Sequence, residues 1–298
     1  MKATFTTEQD YALPDRPQGK SGRAGVLMQR TKTVKAGDFL ECEIFPVVMM
    51  DSAQREKRRK KSKEEITRAN EERARRKLER LLNANFGEGD LLLHLTMAKP
   101  CPYAEMQQAV RNYIARLKYR AEKTCTACKY VYVIETTGEG ERQRHHVHMV
   151  LGTRDGQWIT RDAAECLWKH GLARADRCQR QEKGLCGFAR YITMRKATQE
   201  RLMRRSWGAS KGLRQPTVTV SDRKFTRGAA GRIARGVEED ARAIFEKKYP
   251  GYRLIQDSVK IKYSDFLPGA YIYAFMEKAE APHPSGYRLT PSPPGEGY

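Results

Sequence analysis

Residues 130–135 (YVYVIE) and 145–151 (HHVHMVL) are dense in β-branched and aromatic residues, and the polar stretch between them holds Gly138 and Gly140. Two such runs around a glycine-bearing loop read as a β-hairpin. Strand alternation then sorts every side chain onto one of two faces. His146 and His148 point the same way, about 7 Å apart along the strand. Val147 is buried behind them and His145 faces the other side. If the hairpin closes around Gly140 and Glu141, Glu135 lies opposite His146. A slip of one residue would turn Glu135 to the wrong face. Two imidazoles and a carboxylate on one face are a ligand set for Mg²⁺ or Mn²⁺ at a phosphate, with positions left open for substrate. The plainer reading is a surface strand with incidental histidines. Against it, three of the six histidines of the chain fall within positions 145–148.

The flanking sequence supplies a mixed frame. Residues 91–97 (LLLHLTM) read as a buried strand. Residues 103–123 carry Met106, Val110, Tyr113, Ile114 and Leu117 on one helical stripe. Residues 160–169 suit a short helix, 172–178 a strand and 184–196 a helix. The order β-α-β-β-α-β-α implies an α+β fold, a ferredoxin-like antiparallel sheet with helices on one face. Upstream, residues 1–32 read as a flexible basic arm, 38–50 as a strand and 51–83 as a long helix. The basic run at 55–63 opens that helix, either as a solvated face or as a DNA contact. Downstream, strands are expected at 216–222, 254–263 and 270–276, with an amphipathic helix at 231–248. The division is thus an arm (1–32), a strand plus basic helix (33–89), a catalytic domain (90–276) and a disordered tail (277–298).

Tyr191 lies in the expected helix GLCGFARYITMRK. A phenol attacking phosphorus must be held in line, and its charge must be tolerated. Its pKa is ordinarily about 10, so cationic neighbours have to favour the phenolate. From Arg190 to Arg214 there are eight basic residues and one acid, Glu200. Arg195 is one helical turn from Tyr191 and Lys196 follows it. A lone helical tyrosine is more often core packing, but here it follows the histidine pair in a cationic stretch. Beyond it, Trp207, with Arg204, Arg205 and Lys211, combines a base-stacking ring with phosphate-binding cations. Packing beneath its own loop is the equal alternative for Trp207.

The chain has 298 residues and a formal net charge of +21. That excess favours a polyanionic partner, and nucleic acid suits it best through counterion release. No apolar stretch is long enough to span a bilayer and no signal sequence is visible, so a cytoplasmic protein without a membrane partner is expected. The seven scattered cysteines read as free thiols. Cys125 and Cys128 have ligand-like spacing without a second pair, and a turn before a strand is preferred to a zinc knuckle.

Taken together, LLLHLTM, YVYVIE, HHVHMVL, GFARYIT, WGASKGLRQPTV, YPGYRL and PGAYIYA resemble the HUH (His-hydrophobic-His) endonucleases. They are most similar to the single-tyrosine rolling-circle replication initiators of filamentous phages and mobile elements, over about residues 90–276. The resemblance implies that His146 and His148, with Glu135, hold Mg²⁺ or Mn²⁺. It implies that Tyr191 attacks single-stranded DNA at a replication origin, leaving a 5′-phosphotyrosine and a 3′-hydroxyl that primes synthesis. Arg190, Arg195 and Lys196 would stabilise the phosphate, and a host helicase and polymerase would extend the strand. One departure stands out. Family members commonly carry Lys three residues after the tyrosine, where this chain has Met194. A catalytically degenerate DNA-binding relative is therefore the first alternative, and a single-tyrosine transposase or relaxase the second. An RNA-binding sheet is disfavoured, because LLLHLTM has no aromatic and YVYVIE shares its hairpin with the histidine pair.

Overall fold

The computed structural model describes residues 26–49, 62–137, 144–153, 158–179, 183–189, 207–263 and 269–279. They form two antiparallel sheets and the helices packed on them, which bears out the α+β class.

The sheet that carries the histidines is built from β3 (Leu91–Thr96), β4 (Tyr130–Thr137), β5 (Arg144–Leu151), β6 (Ala173–Arg177) and β7 (Trp207–Ala209). Its order is β6-β3-β5-β4-β7, so the histidine strand β5 is central. Alternation works as expected. Leu91, Leu93, Leu95, Val147, Met149 and Leu151 point to one face. There they meet Met106, Val110, Tyr113 and Leu117 of α2 (Tyr103–Lys123). Burying each such side chain contributes about 1.5–3 kcal/mol, which holds α2 on the sheet. Tyr113 donates from its hydroxyl to the Ala164 carbonyl at 2.9 Å, docking α3 (Arg161–Cys166) on the same side.

The opposite face is covered in part by α1 (Lys63–Asn85), whose Leu78, Leu81 and Leu82 pack with Val131, Val133 and Val150. Ser62 caps α1 in a reciprocal box with Glu65, which satisfies two backbone donors at its start. The basic run at 55–63 lies outside the described residues up to position 61. Within α1, Arg75 and Arg76 pair with Glu72.

The second sheet joins parts of the chain far apart in sequence. Strands β1 (Val26–Ala36) and β2 (Phe39–Met49) form a hairpin, and its order continues β10-β11-β2-β1-β8. The partners are β8 (Thr217–Ser221), β10 (Lys260–Tyr263) and β11 (Ala270–Lys278), with β9 (Tyr252–Leu254) also on β11. Leu40, Cys42, Ile44, Ile272, Ala274 and Met276 bury one face of this sheet. Ile233 of α4 (Arg227–Ile233), Ala241 and Phe245 of α5 (Glu238–Lys248), Phe225 and Tyr249 cover it.

Three local expectations change. β1 begins at Val26, inside the expected loose arm, because eleven residues of β2 pair with it. The helix expected over 231–248 breaks into α4 and α5 at Gly236, whose φ of +82° suits glycine. Trp207 lies in edge strand β7, paired to Val133, and not in a loop. Residues 1–25 and 280–298 lie outside the described residues.

Candidate active site

β4 pairs with β5 so that Glu135 stands opposite His146, the register expected from closure at Gly140 and Glu141. On its other side β5 pairs with β3, which sets His94 opposite His148 and Thr96 opposite His146. Because side chains alternate, His94, His146, His148 and Glu135 share one face. His145 faces the other way, where Thr136 Oγ1 lies 2.9 Å from its Nδ1 and Tyr103 meets its ring edge-on.

The four groups touch. His148 Nε2 lies 3.0 Å from Glu135 Oε2. The His94 ring stacks on His148 with centroids 4.8 Å apart and planes 10° apart, and it lies 5.4 Å from His146. His146 Nε2 is 3.1 Å from Thr137 Oγ1, while its Nδ1 is buried without a hydrogen-bond partner among the described residues. Glu135 and His148 are buried, His146 half-buried and His94 exposed.

Burial pushes the pKa of all three imidazoles below the usual histidine range. His94 adds to the effect at His146 and His148, and Glu135 opposes it. Neutral imidazoles keep a lone pair free, the form in which histidine binds metals. The donor chemistry and the orphaned His146 Nδ1 therefore fit a divalent cation. Among the described residues no three His, Cys, Asp or Glu side chains stand as a ready-formed metal cage.

The same face receives the segment that leads to Tyr191. Leu185 is buried, a helix starts at Cys186, and Ala189 packs with Leu78, Val131, Val133 and Val150. Tyr191 itself, with Arg190, Arg195, Lys196, Arg204 and Arg205, lies outside the described residues. Trp207 is half-buried against the same apolar cluster, while Lys211 is exposed in the turn after β7.

His94 is the member that sequence reasoning missed. The signal was present, since in LLLHLTM it is the one charged-type side chain among leucines. Its strand parity puts it with Leu92 and Thr96, away from the core leucines. What the sequence withheld was that β3 is the neighbour of β5.

The seven cysteines are free thiols, and Cys125, with φ +53°, turns the chain between α2 and β4. No helix among the described residues is long and apolar enough to cross a membrane. No curated protein and no solved structure matches the chain. Residues 90–196, which span the histidine strand and Tyr191, match a family model of replication-associated proteins, the ORF2 type, so this segment is similar to replication initiators of the rolling-circle type.

Proposed function

We propose that this chain is a metal-dependent endonuclease that nicks single-stranded DNA at an origin and thereby starts rolling-circle replication of a phage, plasmid or integrative element. The observation that carries this reading is the meeting of His146, His148 and Glu135 on one sheet face, within the segment similar to replication-associated proteins. His146, His148 and Glu135 would hold Mg²⁺ or Mn²⁺, with His94 as a further donor. The ion, when bound, supplies polarisation of the scissile phosphate. Glu135 orients His148 through their hydrogen bond and favours one tautomer of that ring.

Tyr191 is the proposed nucleophile. Its phenolic oxygen attacks phosphorus, the bond to the 3′ oxygen breaks, and the products are a 5′-phosphotyrosine and a 3′-hydroxyl. Arg190, Arg195 and Lys196 are the cations placed by sequence to favour the phenolate and stabilise the phosphate. Arg204, Arg205, Trp207 and Lys211 would guide the strand. A host helicase and polymerase would act on the product.

The test is incubation of labelled single-stranded DNA pools with wild type and Tyr191→Phe, in Mn²⁺ or EDTA. The expected result is a covalent protein–DNA adduct that needs the ion and the tyrosine. Salt-sensitive binding with no adduct on any pool would overturn the enzyme reading. It would favour a degenerate DNA-binding relative, the reading that Met194 supports, and Met194→Lys would then be assayed.

A further inference from the structure

The second sheet holds a cationic cluster that plays no part in the nicking chemistry. Lys35 of β1 sits opposite Thr217 of β8, and Thr33 sits opposite Thr219. Alternation puts Lys35, Thr33, Thr217 and Thr219 on the side of the sheet covered by α4 and α5. Tyr249, which ends α5, hydrogen-bonds Thr33 there through its hydroxyl at 2.6 Å. Lys224 lies over the Tyr249 ring with Nζ 3.8 Å from the centroid. Lys35 approaches the Tyr252 ring at 5.6 Å. Lys248, in the last turn of α5, completes the group.

Three ammonium groups thus gather around one rim, and none forms an ion pair with a described residue. Lys224 is half-buried, and besides its burial, the charges of Lys35 and Lys248 lower its pKa. Part of this has a structural account. A lysine in a last helical turn favours the helix dipole, and an ammonium over an aromatic ring is attracted to it. Neither account requires three like charges to converge beside two exposed threonine hydroxyls. A polyanion offsets the repulsion among them.

We propose that this rim, formed by Lys35, Lys224, Lys248, Thr217 and Thr219, binds the phosphate backbone of duplex DNA flanking the nicking site. The inference rests on reading the chain as a protein that works on DNA, and deepens it by assigning a second contact surface. Backbone recognition is favoured over base stacking because the aromatic faces at the rim already carry ammonium groups. A second copy of the chain is a poor occupant, although β8 is an edge strand with Val218 and Val220 exposed. Antiparallel pairing of two β8 edges would bring Arg214 of one copy against Arg223 and Lys224 of the other.

The test measures binding of a dye-labelled random-sequence duplex by fluorescence anisotropy over a series of salt concentrations. In Lys35→Gln/Lys224→Gln/Lys248→Gln, the slope of log affinity against log salt should become shallower by about 2–3, because up to three phosphate contacts are lost. Affinity near 100 mM salt should fall at least about ten-fold. The triple Lys→Arg variant should bind as wild type, which separates charge from misfolding. An unchanged slope in the glutamine variant, or equal weakness in the arginine variant, would overturn the proposal. Loss of binding to phosphatidylserine vesicles with duplex binding intact would assign the rim to membranes and overturn it too. His146→Ala/His148→Ala should still bind duplex while losing any nicking. The glutamine variant should still nick a short single strand if the wild type does, so failure of either reading is distinguishable from failure of the other.

Discussion

Asn83, buried near the end of α1, accepts a hydrogen bond from the backbone N–H of Leu185 at 2.8 Å. Its amide nitrogen donates to the Lys183 carbonyl at 3.3 Å. One side chain on a helix thus holds the turn from which the tyrosine-bearing segment departs. The turn leaves no slack, since a Cβ on Gly184 (φ +63°) would stand 2.5 Å from Asn83 Oδ1 and 2.6 Å from Phe39 Cε2. Asn83→Leu should destabilise the protein by about 1–3 kcal/mol, the cost of leaving buried backbone groups unpaired. Gly184→Ala should also destabilise, by at least about 1 kcal/mol. Urea unfolding reads both, and midpoints equal to wild type would show that the turn is not held this way.

Arg80 of α1 grips Glu41 of β2 with two bonds, Nε to Oε1 at 2.9 Å and Nη2 to Oε2 at 2.6 Å. The pair is largely shielded from water and joins the two sheets through α1. Glu41→Gln should cost about 1–3 kcal/mol, because Arg80 keeps only the longer contact to Glu43 at 3.6 Å. A double-mutant cycle with Arg80→Gln measures the coupling, and additive single effects would rule it out.

The lowered pKa values of His94, His146 and His148 predict how metal-free stability responds to acid. The unfolded chain takes up protons on these groups near pH 6.5, before the folded chain does. The associated stability is therefore fully present above that pH and is lost as pH falls through the interval below it. In EDTA the melting temperature should be level from pH 8 to 7 and drop below about 6.5. The variant His94→Asn/His146→Asn/His148→Asn should drop less steeply. Parallel curves for the two proteins would contradict lowered histidine pKa values.

Removing one candidate donor at a time tests the metal reading without DNA. Mn²⁺ titrated calorimetrically should bind wild type, and His148→Ala should abolish the heat signal. His94→Ala should weaken binding by roughly 10–100-fold, the scale on which groups around a metal site act. Equal affinity in His94→Ala would leave that residue as a stacking partner only.

Thiol reactivity should follow burial. Burial pushes Cys42 up to about 12 and Cys128 up to about 11, while Cys125 and Cys166 are exposed. At pH 8, iodoacetamide should modify Cys125 and Cys166 first and Cys42 only on unfolding, as read by peptide mass spectrometry. Early labelling of Cys42 would place it outside the core.

The parity of His146 and His148, the pairing of Glu135 with His146, and the apolar stripe of α2 were all legible in the sequence. Each depends on a short-range rule, a two-residue or 3.6-residue period and a loop that fits one closure. Tertiary structure alone decided the rest. His94 joins the site only because β3 pairs with β5, and no local pattern names a strand's neighbour. The sheet that unites β1 and β2 with β8, β10 and β11 arises from pairings across roughly two hundred residues. Such contacts leave only half-polar strands in the sequence, compatible with several partners. Asn83 likewise looked like one more polar residue at a helix end. Its hold on Lys183 and Leu185 exists only once the chain has brought them together.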